Sequence, residues 1–292
     1  MLHSAYSVRL GATVLAGLTN LSTNGNPEVD ASVGIGSQFP QFAVVRSVRP
    51  QIAFQSRAIA AALAITGTTG AAIDADDLVA SYIEMQDGSP GSATLDYTID
   101  RGLLLPRRLQ CSHRQDAVLD VEALTHSVDG DTDPITIGAG APATIARDNI
   151  RHTLKSVIIA GVEFDCLTDV TIDFGVNAET LGCNSHVYDT LITKDNGVTP
   201  TVNITTLDVG KVASLGLKGS AAAHADTTIV LRQYATDGIG FASGADANDL
   251  TITASGVAHL QQQTGQGQQT SSATIQLTCN WDGTNAPLII GS

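Results

Sequence analysis

The feature that most constrains this fold is an internal repeat. Residues 48–67 return about 150 residues later as residues 198–219. Both copies open with a proline, Pro50 or Pro200, and continue as an alternating apolar and polar run of the kind that forms a half-buried strand. The pattern predicts that the chain is a tandem duplication.

A hydroxyl residue follows each of these runs, Ser56 in the first copy and Thr206 in the second. Each stands just before a short segment rich in small and branched apolar residues. Ser and Thr are favoured helix N-caps, and glycine often ends a helix. The sequence therefore predicts that each strand leads into a capped short helix, and that the helices end near Gly67 and Gly219.

A second shared pattern closes each copy at a constant spacing of 153 residues. It pairs Leu124-Thr125, Asp129-Gly130 and Pro134 with Leu277-Thr278, Asp282-Gly283 and Pro287. The alternation before the second pattern continues to Trp281, the only tryptophan. It predicts a final strand with one buried face that holds Trp281 in the core, followed by an Asp-Gly turn.

Other matches between the copies are less regular. Val14–Gly17 and Leu18–Leu21 predict a strand pair broken at the glycine, matched to residues 158–161 and 167–170, and the spacing drifts from 144 to 149 residues. Alternation also predicts strands at 95–100 and 250–254. Polar connections are expected after them, at 105–116 and 259–272.

Length and repeat together predict two domains, 1–143 and 144–292, joined by a short linker at 138–143. Aromatic residues are 4% of the chain, which contains 28 Gly and nine Pro. This composition favours a mainly β fold with many turns. The expected architecture is two tandem β-sandwich or barrel-like domains, each with one short α-helix and a long irregular hairpin loop.

The long loops are expected at residues 23–45 and 175–197, where regular strand or helix signals are weak. Long connections inside compact domains usually serve function or form interfaces. We interpret both loops as interface loops, with plain surface excursions as the alternative.

The charge pattern constrains the partners of the chain. Charged residues make up only 15%, which is typical of a protein that covers much of its surface with copies of itself. Up to residue 143 there are 8 basic and 15 acidic residues, and after it 7 and 14, so each half carries a net charge of −7. This argues against nucleic-acid binding as the main task but permits a surface that repels DNA.

No catalytic, cofactor or metal site is predicted. The cysteines Cys111, Cys166, Cys183 and Cys279 lack metal-ligand spacing with the histidines and are interpreted as buried free thiols. The glycines at 238, 240 and 244 lack the Lys-Ser/Thr of a phosphate loop, so a glycine-rich loop is preferred. Asp74, Asp76 and Asp77 lack the distal glutamate of an EF-hand and are interpreted as an acidic turn.

No apolar run of 18 residues is present, and the first residues lack the pattern of a signal peptide. These features predict a soluble protein made in a cytoplasm, without membrane insertion. No nucleophile motif occurs and the histidines do not repeat between the halves, so a non-enzymatic role is expected.

The run from Pro50 to Ile59, Pro-x-Ile-x-Phe-x-Ser-x-x-Ile, leads into a short Ala/Leu helix, with a long irregular loop before it and alternating strands after it. In these features the chain resembles the tail tube proteins of long-tailed bacteriophages. The resemblance covers most of both halves.

The resemblance implies a structural virion protein that polymerises into stacked rings and forms a channel for DNA between capsid and host. Such rings hold six tube domains whose strands join into an inner β-barrel. A duplicated chain then implies a homotrimeric ring with pseudo-sixfold symmetry, whose loops at 23–45 and 175–197 order against the adjacent ring.

The implied partners are further copies of the chain, the tape-measure, tail-terminator and baseplate proteins, and DNA in transit. The implied location is the virion tail, after assembly in the host cytoplasm. The alternatives are another ring-forming tail or capsid protein, such as a completion, baseplate or decoration protein, and a tandem carbohydrate-binding or adhesin module. A β-rich enzyme would need a carboxylate pair, and the sequence nominates none.

Overall fold

Antiparallel β-strands dominate the computed structural model. It describes residues 2–15, 17–33, 35–74, 77–86, 89–145, 150–183, 185–195, 197–217, 222–237, 239–242, 249–265, 271–281, 283 and 286–291. Neither helix in this part of the chain is long and apolar enough to cross a membrane.

The first half contains one helix among its strands. The strands are β1 (Leu2–Leu10), β2 (Thr13–Leu15), β3 (Leu18–Asn24), β4 (Pro27–Ser32), β5 (Phe42–Val48), β6 (Gln51–Ser56), β7 (Ala71–Ile73), β8 (Leu78–Gln86), β9 (Ser89–Ile99), β10 (Gly102–Ser112), β11 (Val118–Thr125) and β12 (Ile135–Gly140). The helix α1 spans Ile59–Thr66, between β6 and β7.

The second half also contains one helix. The strands are β13 (His152–Ile159), β14 (Val162–Phe164), β15 (Leu167–Asp173), β16 (Ala178–Leu181), β17 (Leu191–Lys194), β18 (Thr201–Thr206), β19 (Ala222–Gln233), β20 (Leu250–Thr264), β21 (Ser272–Cys279) and β22 (Leu288–Gly291). The helix α2 spans Val209–Ser214, between β18 and β19.

The strands form two large sheets and two separate hairpins. The smaller sheet has the order β12-β9-β8-β1-β2. The larger has the order β14-β13-β19-β20-β21-β18-β15-β10-β11-β6-β3, with β22 on β20 and β7 on β10. Strands β4 and β5 form hairpin 1, and β16 and β17 form hairpin 2. The predicted mainly β, sandwich-like class is confirmed.

Strict alternation in the central strands places one face of the larger sheet in the core. In β6 the side chains of Ile52 and Phe54 are buried, and in β18 those of Val202 and Ile204 are buried. One hydrophobic core extends through both halves and includes the fully buried Phe164 and Phe174. Burial of this apolar surface is the main favourable term in folding.

The two halves repeat the same strand pairings, including their irregularities. β-bulges fall at equivalent places: Tyr6 in β1 corresponds to Lys155 in β13, and Thr19 in β3 corresponds to Thr168 in β15. A third bulge falls at Arg107 in β10 and at Gln261 in β20. Because a bulge is a specific feature of one register, these matches support the predicted duplication.

The halves nevertheless share one sheet, since β10 of the first half pairs with β15 of the second. They also differ at one junction. In the second half one strand, β20, pairs with both β19 and β21. In the first half the corresponding residues form two separate strands, β9 paired with β8 and β10 paired with β11. Gly102 is the first residue of β10 that pairs with β11, and Gly256 is the first residue of β20 that pairs with β21. Each lies so close to a carbonyl of the facing strand that a Cβ would collide with it.

The structure corrects the predicted spacing between the copies. It is 149 residues throughout the first strands, because β2 matches β14, and the drift from 144 was wrong. In the closing strands Thr125 and Cys279 face Gly102 and Gly256 in the same way, so the spacing there is 154 rather than 153. The shift matters because one residue moves a side chain to the other face of a sheet.

Several predicted connections are also corrected. The polar connections at 105–116 and 259–272 continue β10 to Ser112 and β20 to Thr264. Half of the predicted linker belongs to β12. Strands β2 and β3 do not pair with each other, because the chain crosses between sheets at Gly17.

The closing turn and Trp281 differ from expectation as well. Strand β21 ends at Cys279, and Trp281 lies beyond it with 67% of its surface exposed, so it is not a core residue. The turn leads to β22, which pairs with β20 rather than β21. Asp282 lies outside the described residues.

The predicted helices are present, but their caps differ. Their N-cap residues are Ala58 and Asp208, without a side-chain cap hydrogen bond. Ser56 and Thr206 instead accept hydrogen bonds from the backbone amides of those two residues, at 3.2 and 3.0 Å, and so form the turn between strand and helix.

The helix ends were predicted correctly only in the first copy. Helix α1 stops at Gly67, which has a positive φ of 61°. Helix α2 ends at Ser214, before the positive-φ Gly216. Gly219 lies outside the described residues.

Candidate functional site

The junction between the two halves is a strand pair. Residues Arg108–Ser112 of β10 pair antiparallel with Asp169–Asp173 of β15. The Ser112 hydroxyl donates to Asp169 Oδ1 at 2.7 Å, and the Phe174 amide donates to the Arg107 carbonyl at 3.1 Å. We call this pair the internal seam.

Both strands of the internal seam have counterparts elsewhere in the larger sheet, and among the described residues each counterpart has one unpaired side. Strand β3 corresponds to β15 and, among the described residues, pairs only with β6. The end of β20, Gln262–Thr264, corresponds to the seam segment of β10 and has a described partner only in β21. Unpaired strand edges are templates for pairing with another chain.

The outward face of the larger sheet is polar across the seam. One row of directly opposed residues crosses seven neighbouring strands: Asn20, Gln55, Asp120, Arg108, Asp173, Thr201 and Thr278. The neighbouring row is also largely polar: Gln110, Thr171, Asn203, Gln276 and His259. We call this surface the polar face.

Charged contacts tie the polar face together. Asp120 accepts hydrogen bonds from Gln55 Nε2 at 2.8 Å and from Arg108 Nε at 3.1 Å. Arg107 Nε donates to Glu122 Oε2 at 2.5 Å, and its Nη1 donates to the Val176 carbonyl of the second half at 2.7 Å. Arg107 thus links the two halves directly.

Acidic groups outnumber basic ones on this face. The acidic side chains are Asp120, Glu122, Asp169 and Asp173, and the basic ones are Arg107 and Arg108. A cleft of about 470 Å³ opens beside the seam, lined in part by Arg49, Arg107 and Glu122. The Arg107 and Glu122 side chains in this cleft pair with each other.

A second contact between the halves involves the tip of hairpin 2, residues 186–189. The tip packs on the turn that follows β11: the Tyr188 amide donates to the Gly130 carbonyl at 3.0 Å, and the Ser127 amide donates to the Asp189 carbonyl at 2.8 Å. Arg49 Nε lies 3.1 Å from Asp189 Oδ2. The loop predicted to order against an adjacent ring thus contacts the other half of its own chain.

Hairpin 1 has the same geometry, but its tip, residues 37–40, makes no such contact with the described part of the chain. The Gln41 amide donates to the Ser32 carbonyl as the Thr190 amide donates to the Leu181 carbonyl, each at 3.0 Å. Most side chains of hairpin 1 are exposed, including the apolar Val29, Val33, Ile35, Phe39, Phe42, Val44 and Val45. An exposed apolar patch of this extent marks an interaction surface.

The residues considered in the sequence for chemistry do not converge. Asp77 donates its amide to the Asp74 carbonyl at 3.1 Å in a turn, and Asp76 lies outside the described residues. Gly240 accepts a turn hydrogen bond from Ala235, while the glycines at 238 and 244 lie outside the described residues. The described part of the chain contains no group of three His, Cys, Asp or Glu side chains that could hold a metal ion.

The cysteines divide into two classes, which corrects the expectation that all four are buried. Cys111 and Cys279 are buried, whereas Cys166 and Cys183 are exposed. Burial raises the pKa of Cys279 to about 11, so its thiol stays protonated at neutral pH.

Sequence reasoning missed β10, the strand that the first half contributes to the internal seam. Residues 105–116 were read as a polar connection because of their arginines, although Leu109 and Cys111 alternate with Arg108 and Gln110. That alternation was the available signal for a strand.

No protein-family model matches the chain, and no curated protein sequence matches it. The proposals below therefore rest on the geometry of the chain and on the resemblance described above.

Proposed function

We propose that this chain is a structural virion protein that polymerises into stacked rings and forms the tail tube of a long-tailed bacteriophage. Each ring contains three chains, and the six halves give it pseudo-sixfold symmetry. The tube carries DNA from capsid to host, and the tape-measure, tail-terminator and baseplate proteins contact it within the virion tail.

The internal seam is the observation that carries this proposal. It joins one half to a similar half through β10 and β15, and among the described residues β3 and the end of β20 each keep one unpaired edge. Repeating the same contact between chains joins the end of β20 in one copy to β3 in the next. A head-to-tail contact of this kind produces a ring when its rotation closes.

The polar face supports the channel role. It carries more acidic than basic groups, and the whole chain has a net charge of −14. A wall of this charge repels phosphates and lacks the clustered Lys and Arg that hold nucleic acid. In the proposed ring this face lines the channel, which lets DNA pass without binding.

Electron microscopy of the purified protein over a range of concentrations and salt tests the proposal. Open-ended tubes built of stacked rings are the expected result. Single closed rings that never stack would favour another ring-forming tail or capsid protein. Monomers under every condition would contradict the proposal.

A further inference from the structure

The two hairpins are equivalent in structure but differ in surroundings. Their loops have the same length between the last paired residues, Ser32 and Phe42 in hairpin 1 and Leu181 and Leu191 in hairpin 2. Gly36 and Ser185 have positive φ angles of 85° and 79° at matching positions. Each residue of the hairpin 1 loop therefore corresponds to the residue 149 positions later.

This correspondence places Phe39 at the position of Tyr188. Tyr188 is half-buried against the turn after β11, whereas Phe39 is 74% exposed. The neighbouring Pro40 corresponds to Asp189, whose side chain is buried beside Arg49. The tip of hairpin 1 thus has the shape of a docked tip, and no hydrogen bond joins it to another described part of its own chain.

The matching docking turn is the one that follows β21. The Asn280 amide donates to the Ser255 carbonyl at 3.0 Å, as the His126 amide donates to the Arg101 carbonyl at 3.2 Å. Trp281 follows Asn280 as Ser127 follows His126. Gly283 has a positive φ of 99°, close to the 81° of Gly130, but it lies two residues after Trp281 whereas Gly130 lies three after Ser127, so the second turn is one residue shorter.

The hairpin tip and the docking turn both differ in chemistry between the two contacts. The internal contact includes the ion pair between Arg49 and Asp189. The tip presents Phe39 and Pro40 where hairpin 2 has Tyr188 and Asp189, and the turn presents the exposed Trp281 where the first half has Ser127. An apolar tip thus has an apolar counterpart on the second half.

We propose that the tip of hairpin 1, residues 37–40, docks on the Trp281 turn of a second copy of this chain. In that contact the Trp281 amide donates to the Pro40 carbonyl, as the Ser127 amide donates to the Asp189 carbonyl, and the phenyl ring covers the indole. The inference rests on the proposed repetition of the internal contact between copies, and it places hairpin 1 within a ring rather than between rings.

Burial of the two rings supplies the driving force, since aromatic side chains dominate the energetics of interfaces. The backbone hydrogen bond from Trp281 fixes the orientation, as the one from Ser127 does in the internal contact. The free chain exposes both rings, so the contact forms only on assembly.

The emission of Trp281, the only tryptophan, reports on this contact directly. We expect the emission maximum of the wild type to move to shorter wavelength as the protein concentration is raised through assembly, because the indole leaves water. Phe39→Ser should remove this shift and raise the critical concentration about tenfold, which corresponds to about 1.4 kcal/mol.

Two controls make the result specific. Phe39→Tyr should assemble like the wild type, because tyrosine occupies the matching position in hairpin 2. Ile239→Ser removes another highly exposed apolar side chain away from the hairpin and should also leave assembly unchanged.

The outcomes separate the two proposals. A wild type that assembles without a change in Trp281 emission, or a Phe39→Ser variant that assembles and shifts normally, would overturn the hairpin contact and leave the proposed function standing. A wild type that remains monomeric at every concentration would overturn both.

Discussion

Gln110 and Thr171 lie directly opposite each other in the internal seam, one on each half of the chain. The bulge positions in β10 and β20 fix the counterpart of Gln110 as Thr264, and those in β3 and β15 fix the counterpart of Thr171 as Ser22. In the proposed ring, Thr264 of one chain therefore faces Ser22 of the next.

Cysteines at these positions should link neighbouring chains. Opposed residues of an antiparallel pair have Cα atoms about 4.5–5.5 Å apart, within the range that a disulfide spans. We expect Ser22→Cys/Thr264→Cys, made in a background with the exposed Cys166 and Cys183 changed to serine, to oxidise into covalent dimers and trimers on a non-reducing gel.

The internal seam provides the matched control. Gln110→Cys/Thr171→Cys should form its disulfide within one chain, detected as faster migration of the monomer. If the internal pair oxidises while the Ser22 and Thr264 pair stays reduced in assembled protein, the strand contact between chains is wrong. A ladder that extends beyond three chains would contradict the trimeric ring.

Arg107 should matter more to stability than its neighbour Arg108. Arg107 pairs with Glu122 and also donates to the Val176 carbonyl across the seam, whereas Arg108 makes a more exposed pair with Asp120. We expect Arg107→Met to lower the free energy of unfolding by about 1–3 kcal/mol. Arg108→Met should cost at most about 1 kcal/mol, as exposed ion pairs do.

Urea unfolding of the two variants, followed by circular dichroism, measures the difference. Equal losses for both variants would show that the Val176 contact contributes nothing. Methionine keeps an unbranched apolar stem and removes the guanidinium group, so the comparison tests mainly the charge and its hydrogen bonds.

The fold could be predicted to the extent that it depends on local pattern. Alternation identified β6, β15, β18 and β21 because each buries one face. The partners of these strands could not be predicted, since the sequence near Val14 gives no sign that the chain crosses between sheets at Gly17. Pairing depends on contacts between distant residues, which a single sequence does not reveal.

The candidate site was harder to predict for the same reason. The loop at 23–45 was expected to be an interface loop, but its regular ladder and exposed apolar side chains become visible only in the folded hairpin. Trp281 was placed in the core because alternation extends to it. The strand ends two residues earlier, so the alternation no longer determines its burial.

The close backbone contacts at Gly102 and Gly256 provide a test of the repeat. A Cβ at either position would collide with the carbonyl of the facing strand, whereas a Cβ at Gly138 would meet open space. We expect Gly102→Ala and Gly256→Ala each to cost about 1–3 kcal/mol through strain. Gly138→Ala should be nearly neutral.

Thermal unfolding of the three alanine variants makes this comparison. The prediction requires similar losses at Gly102 and Gly256, because the same β-strand geometry recurs in both halves. A large loss of stability at one glycine alone would contradict the equivalence of β10 and the corresponding segment of β20.

Asp129 should make hairpin 2 sensitive to acid. Its carboxylate accepts hydrogen bonds from the amides of Thr132 and Asp131 and from the hydroxyls of Thr132 and Ser127. These bonds hold the pKa of Asp129 well below its usual value of 3.8. The carboxylate shapes the turn that presents Ser127 and Gly130 to hairpin 2.

The sign of the pH dependence follows from this lowered pKa. The unfolded chain takes up a proton at Asp129 at higher pH than the folded chain, so its contribution to stability is complete above about pH 5 and is lost as the pH falls below 4. The stability difference between the wild type and Asp129→Asn should shrink over the same range. Thr132→Val removes one hydroxyl donor to Asp129, so the stability of this variant should depend less on pH than that of the wild type.

Hydrogen exchange at the Tyr188 amide locates the effect, because this amide donates to the Gly130 carbonyl in the turn. We expect its protection to fall between pH 4 and pH 3 in the wild type more than in Asp129→Asn, where the charge is already absent. Protection that falls equally in both proteins would show that another group controls the docking of hairpin 2.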